Sequence, residues 1–361
     1  MLAKNKNLLY IKSNMTRGTR RIIFYLFVVI FIILTPPTIL YSVGYSYDFQ
    51  KQAFVQMGGI YLKSSPSDAQ ILINGKDSSV TPRLISRLSP KIYNVSVVKD
   101  GFYPWQKNLE VSPTIVTEAR NIFLFPKKIV PELVSTDATS TIQDFLMAPE
   151  EKKNLLQAQK IASSTAGWLW QNNSILFLSE TDFILYQENL NGSGKSQISK
   201  EALSPAKYKI FTNDSRRFLA LSAIGELYYL DAGNGIFEPI AKGIKNAVFS
   251  GDNKKFVYWA DNEIWVSYIE DLLIQPYKKA GDKELITRYA QKISQAIFYP
   301  DNEHIAFVVG EQIKVIELDG RDQRNTVDLV RAPNPQIYFD QKNDYLYYLT
   351  ETNLFRLKIE Y

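Results

Sequence analysis

The chain has 361 residues, no cysteine, one histidine and a formal net charge of +5. The missing cysteines exclude disulfides, thiolate catalysis and cysteine-based metal sites. Six of the 42 Lys and Arg residues precede residue 22, and the other 36 stand against 37 Asp and Glu. The basic excess is therefore an N-terminal feature, and nucleic acid, which needs a basic patch on a folded domain, is not an expected partner.

Residues 1–21 form a basic tail carrying Lys4, Lys6, Lys12, Arg17, Arg20 and Arg21 and no acidic residue. Residues 22–47 contain no charged side chain, and a bilayer core needs roughly 20 apolar residues in a helix. The Lys/Arg-rich flank sets orientation, with Lys12, Arg17, Arg20 and Arg21 on the cytoplasmic side and everything after Asp48 outside. A cleaved secretory signal is the competing reading. Residues 22–34 would be its apolar core, yet Thr35-Pro36-Pro37-Thr38 follows with no A-x-A site and apolar character resumes beyond it. A buried core helix fits poorly because no polar stripe recurs at helical spacing. Two readings stand for Pro36-Pro37: a tolerated break inside a membrane helix, or the outer interface, with Tyr41, Tyr45 and Tyr47 as an aromatic belt.

Residues 48–58 read as a linker. From 59 to 126 short strands alternate with turns. Ser64, Pro66 and Ala69 precede the strand Gln70-Ile71-Leu72-Ile73; Asn74-Gly75 is a hairpin signal, since a type I′ turn needs positive φ at both central positions. Thr81-Pro82 opens the next extended segment, residues 93–98 alternate as a strand, and Lys99, Gly101, Phe102 and Trp105 close the series. In order and spacing these residues resemble the PEGA domain family, a small β-sandwich of bacterial and archaeal envelope proteins. The name-giving tetrapeptide stands here as Pro66-Ser67-Asp68-Ala69, and Lys91 replaces a frequent Gly. The resemblance implies a framework of Pro66, Ala69, Gly75, Thr81, Pro82, Gly101 and Trp105, and a binding or spacer role without established chemistry. Trp105 is expected to fill the sandwich core.

After 127–144, a linker or closing strand, residues 145–361 read as repeats. The aromatic anchors Trp170, Phe211, Phe249, Phe298 and Phe339 are spaced by 41, 38, 49 and 41 residues. That period, with about four strands each, is expected of β-propeller blades. The turns NDSRR, GDNKK, PDNEH and QKNDY resemble those of TolB-like and WD40-like propellers, although no G-H…W-D pair is present. Five copies are plain, and a weaker sixth begins at Phe145. The longest spacing places an insertion at residues 272–286, expected as a surface loop. The expected fold is thus an all-β ectodomain, a PEGA-like sandwich followed by propeller repeats, behind one N-terminal transmembrane helix.

Little in the sequence carries chemistry. His304 is expected as a partly exposed strand-end residue and not as part of a Ser-His-Asp triad. Asp214, Asp252 and Asp301 recur at equivalent turns, where capping of the backbone explains them and one carboxylate per turn is too few for calcium. Asn191-Gly192-Ser193-Gly194-Lys195-Ser196 has Asn189 where a phosphate loop needs Gly, and reads as a hairpin tip. Trp168, Trp170, Trp259 and Trp265 read as strand residues packed between blades. No catalytic residue, cofactor or metal site is expected. The expected function is a non-catalytic, single-pass membrane-anchored envelope protein that binds the lipid bilayer and an envelope protein or glycan. The alternatives are an inward-signalling sensor, or a propeller enzyme acting on glycans through paired carboxylates.

Overall fold

The computed structural model describes residues 16–48, 52–138, 141–171, 173–340 and 343–359. Two compact units divide the chain: residues up to Ile60 with Leu84–Lys91 and Glu110–Thr117, and Tyr61–Arg83 with Ile92–Leu109 and Glu118–Tyr361.

In the first unit, helix α1 spans Arg17–Ser42 and is long and apolar enough to cross a membrane. Thr16 caps its start, its hydroxyl accepting the Thr19 amide at 3.3 Å. None of its residues is buried by protein. The helix continues through Pro36-Pro37, where the Thr38 hydroxyl donates to the Leu34 carbonyl at 2.7 Å. Gly44 then takes φ +91° and the chain turns into β1 (Tyr45–Asp48), antiparallel to β2 (Ala53–Gln56). The helix therefore starts five residues before the expected apolar boundary and stops short of residue 47. Tyr41 lies on the helix, whereas Tyr45 and Tyr47 lie on the strand after it, with the Tyr47 ring 5.3 Å from that of Phe54. Tyr41 itself is covered by the Arg87 guanidinium, 3.5 Å from the ring centre. The 48–58 segment, expected as a linker, carries β2. Lys4, Lys6 and Lys12 lie outside the described residues.

Strands β3 (Gly58–Ser65), β4 (Gln70–Ile73), β5 (Lys76–Val80), β6 (Arg83–Leu88), β7 (Lys91–Val98), β8 (Trp105–Val111) and β9 (Val116–Phe123) follow. They make two sheets, ordered β6–β3–β9 and β5–β4–β7–β8. Alternation is strict in β8, where Trp105, Lys107, Leu109 and Val111 are buried and the residues between them exposed.

The second unit continues through β10 (Glu132–Ser135) into helices α2 (Ile142–Leu146) and α3 (Pro149–Ile161). Five four-stranded antiparallel sheets then arise as blades. Blade 1 is β11 (Thr165–Gln171), β12 (Ser174–Ser179), β13 (Leu185–Asn189) and β14 (Ser196–Gln197). Blade 2 is β15 (Tyr208–Phe211), β16 (Arg217–Ser222), β17 (Leu227–Asp231) and β18 (Phe237–Ala241). Blade 3 is β19 (Asn246–Phe249), β20 (Lys255–Trp259), β21 (Glu263–Tyr268) and β22 (Lys283–Arg288). Blade 4 is β23 (Ile293–Phe298), β24 (His304–Val309), β25 (Gln312–Glu317) and β26 (Thr326–Arg331). Blade 5 is β27 (Gln336–Asp340), β28 (Tyr345–Thr350), β29 (Asn353–Lys358) and, as its outermost strand, β10. Leu133 pairs with Phe355 there, so a strand from the start of the module completes its last blade.

The second strand of each blade is buried on both faces, because neighbouring blades pack against each. Phe218, Phe256 and Phe307 are at most 1% exposed, and burying each such ring is worth about 1.5–3 kcal/mol. The aromatic anchors all fall on first strands. Phe211, however, is one residue out of phase: Tyr208 and Ile210 are the buried positions of β15, whereas in β19 and β23 Phe249 and Phe298 are. A one-residue slip turns a strand's side chains over.

The weak sixth repeat from Phe145 is not a blade. Pro149 opens α3 at a position where its missing N–H costs nothing, Glu150 and Glu151 complement the first turn, and Glu151 accepts the Ala148 amide at 3.0 Å. Helix α2 buries Ile142 among Tyr347, Leu349 and Leu354 of blade 5. Helix α3 buries Ala158 against Ile175, Phe177 and Leu190 of blade 1. The two helices thus fill the step from the last blade to the first.

Candidate functional site in the propeller channel

The first strands β11, β15, β19, β23 and β27, with the start of α2, enclose a cavity of about 870 Å³. The less buried alternate positions of these strands form two layers. One holds Lys209, Asn246, Gln295 and Gln336; the next holds Phe211, Val248, Ile297 and Tyr338. Among the described residues, the lining contains no Asp, Glu or His.

Cross-blade hydrogen bonds fix this wall. The Gln295 amide donates to the Ile337 carbonyl at 2.6 Å and accepts the Ile337 amide at 2.8 Å, tying blade 4 to blade 5. Asn213 donates to the Ser250 carbonyl at 3.1 Å, tying blade 2 to blade 3. Lys207 pairs with Glu180 and donates to the Thr165 carbonyl at 2.9 Å. Gly167 lets blades 1 and 2 approach, since a Cβ there would sit 2.3 Å from the Tyr208 carbonyl oxygen. Burial pushes the Tyr208 phenol up to about 12, so it stays neutral and donates to the Ser204 carbonyl at 2.8 Å.

Polar groups of the wall remain unspent, two of them of a kind that selects a ligand. The indole N–H of Trp259 is buried without a hydrogen-bond partner, and the ammonium of Lys209 has no ion-pair partner among the described residues. Such groups favour acceptors and anions.

The expected turn aspartates cap backbone. Asp214 accepts the amides of Arg216 and Arg217 at 2.8 and 2.7 Å, Asp252 that of Lys254 at 3.2 Å, and Asp301 those of Glu303 and His304 at 2.9 and 3.1 Å. No group of three or more His, Cys, Asp or Glu able to hold a metal occurs among the described residues. His304 is not the partly exposed residue expected: it is 3% exposed, its Nδ1 is 2.6 Å from Asp301 Oδ2, and Phe123, Phe125 and Tyr299 surround its ring. Burial opposes its charged form, but Asp301, with Glu317 and Glu303 beyond, outweighs that and raises its pKa above 6.5. Two of the three covering rings, Phe123 and Phe125, come from residues distant in sequence, so the burial leaves no local signal. Asn191–Lys195 sits between β13 and β14, as a hairpin tip, and Ser196 opens β14. The insertion is a loop only to residue 282, where β22 takes over at Lys283.

Of the framework residues, Pro66, Ala69 and Thr81 form one clamp with Ser64. Buried Thr81 shares a 2.6 Å hydrogen bond with Ser64 and accepts the Ala69 amide at 3.1 Å. Ser64 also donates to the Pro66 carbonyl at 2.7 Å. Asn74 and Gly75 take φ +51° and +75°, as a type I′ turn requires. Pro82 follows Thr81, and Gly101 holds the turn after β7. With this geometry, residues 57–122 match the family model described as the PEGA domain. This segment is a PEGA domain.

Its Trp105 is buried at 3% exposure, as expected of a core residue, but its indole N–H donates to Glu317 of blade 4 at 2.9 Å. The PEGA framework and the arginines Arg17, Arg20 and Arg21 on the first turn of α1 do not line the channel. The sequence reading missed the channel residues. Their one signal is a shared place in the repeat, two residues before the apolar layer.

The chain is similar in structure to a chain of a nidogen–laminin complex (8% identity, 51% of this chain and 74% of that one, TM-score 0.33). It also resembles a protein from Desulfotomaculum acetoxidans described as functionally unknown (14%, 52% and 63%, TM-score 0.38). A third likeness is to the tricorn protease (13%, 78% and 27%, TM-score 0.38). No curated protein matches the chain. The blades are assigned from the chain's own sheet order.

Proposed function

We propose that this is a single-pass membrane-anchored protein of the cell envelope, with its N-terminus cytoplasmic and its PEGA domain and propeller outside. In this reading the propeller channel is a non-catalytic binding site for an envelope protein or polymer. The observation that carries it is the channel wall: aromatic and amide side chains with an uncompensated lysine and no carboxylate among the described lining residues. Paired carboxylates about 5–10 Å apart are what glycoside hydrolysis would require. Arg17, Arg20 and Arg21, beside an apolar helix, support the orientation.

Protease added to intact cells degrades everything beyond Asp48 and spares the N-terminal tail; a protected C-terminus overturns the topology. The detergent-solubilised full chain retains envelope protein or polymer, and Lys209→Glu or Tyr338→Ala weakens that retention while thermal unfolding is unchanged. Retention equal in wild type and both variants overturns the channel as the binding site.

A further inference from the structure

The loop between β21 and β22 is ordered but carries apolar side chains into solvent. Leu272 and Lys278 pair as a bridge, with the Leu272 amide 2.8 Å from the Lys278 carbonyl. Asp271 accepts the Ala280 amide and Asp282 the Lys279 amide, each at 2.8 Å. Gln275 accepts the backbone amide of Glu118 on β9 at 3.0 Å and the Arg321 guanidinium at 3.3 Å. Within this fixed frame Leu273 is 83% exposed, Ile274 55% and Tyr277 67%. Contiguous exposed apolar surface on an ordered element marks a contact. We propose that this loop is a second membrane contact, whose Leu273, Ile274 and Tyr277 enter the headgroup region of the bilayer.

Two observations select lipid as the occupant. Aliphatic tips with a tyrosine and adjacent lysine match an interfacial segment, in which apolar groups enter about 5–10 Å and cations meet headgroup phosphates. Lys279 is exposed at the required place, while Lys278 is held by Glu284 at 2.8 Å. The same chain also carries α1. The loop itself carries Glu270, Asp271 and Asp282 against Lys278 and Lys279, a net charge of −1, which makes apolar insertion and not net charge the driving term. This inference rests on α1 being a membrane anchor.

Because the chain has no cysteine, Leu273→Cys gives one labelling site for an environment-sensitive fluorophore, and Tyr277→Cys a second. The labelled full chain is reconstituted into phosphatidylcholine vesicles containing phosphatidylglycerol. The emission at either site is expected to shift to the blue, to be quenched by doxyl-labelled lipid, and to resist iodide present on both sides. A label on Ile224→Cys, a position 77% exposed on the β16–β17 hairpin, stays open to iodide. Iodide-accessible loop labels in vesicles that hold the protein through carbonate extraction overturn the loop contact and leave the anchor standing. A blue-shifted label that doxyl lipid does not quench also overturns it, indicating protein cover. Loss of the chain during carbonate extraction overturns the anchor and the loop contact together.

Discussion

The ammonium of Lys107 lies 2.8 Å from Oε1 of Glu317, and the two side chains are 0% and 3% exposed. Lys107, on β8 of the PEGA domain, also donates to the carbonyls of Asp319, Arg321 and Gln323, each at 2.8 Å. Glu317, at the end of β25, is held in turn by Trp105 at 2.9 Å and by the Asn325 backbone and side-chain amides, both at 2.7 Å. A lysine that alternation places in the sandwich interior is thus saturated by a propeller blade. A buried charge persists only when so paired.

Lys107→Met strands the Glu317 carboxylate and three carbonyls, and breaking one side of a buried pair costs about 3–5 kcal/mol. The expected result is a large fall in thermal midpoint, followed by circular dichroism. The double variant Lys107→Met with Glu317→Gln should lose less than the sum of the two single changes, because no charge is then left alone. Additive losses would show that the pair is not coupled.

The His304–Asp301 pair makes stability depend on pH. The folded imidazole has its pKa raised above 6.5, so its contribution is full below 6.5 and disappears as pH rises through the folded value. Asp301 is buried, yet His304 and two backbone amides hold its carboxyl below 3.8; its contribution is present above 3.8 and disappears as pH falls below that. The thermal midpoint of the wild type is expected to decline as pH rises above about 6.5, and that of His304→Gln to decline less. Glu303 and Glu317 also face the ring electrostatically, but both are present in each variant, so the difference isolates the imidazole. Parallel curves would remove the pair from this role.

Ala158 of α3 has no solvent exposure. Ala158→Leu overfills its contact with Ile175 and Phe177, and overpacking typically costs about 1–3 kcal/mol. The reverse change at exposed Leu156, Leu156→Ala, should be close to neutral. Equal effects at both positions would mean that α3 is not packed on blade 1.

Closure of the last blade rests on backbone pairing. Leu133→Pro removes a backbone N–H from β10 and adds a ring beside its pairing with Phe355. Residues 130–138 are then expected to become protease-sensitive and the thermal midpoint to fall. Glu132→Ala, which removes only the exposed pair with Arg356 at 2.7 Å, should leave both unchanged. Equal sensitivity in the two variants would place the closure energy in side chains.

Much of this fold was legible in the residues themselves. An uncharged run behind six basic residues, Asn74-Gly75 in a hairpin, and aromatic anchors about 40 residues apart are local or periodic signals. Each reflects a requirement of its own segment: a bilayer-length apolar stretch, positive φ at two turn residues, a strand with one buried face. The segment after Phe145 misled, since LLQAQ reads as a short apolar run until Pro149 and the two glutamates are weighed as a helix start.

The sequence by itself determined the order of modules: apolar helix, PEGA domain, repeated sheets. Tertiary structure alone decided that five blades and two helices close the ring, that β10 returns to the last blade, and that His304 and Lys107 are buried. It also decided which alternate residues face the channel, down to the one-residue slip at Phe211. The reason is that periodicity reports which side of a strand is buried, while the partner that buries it comes from residues far away in the chain. Charge pairing, channel lining and closure are properties of those distant partners.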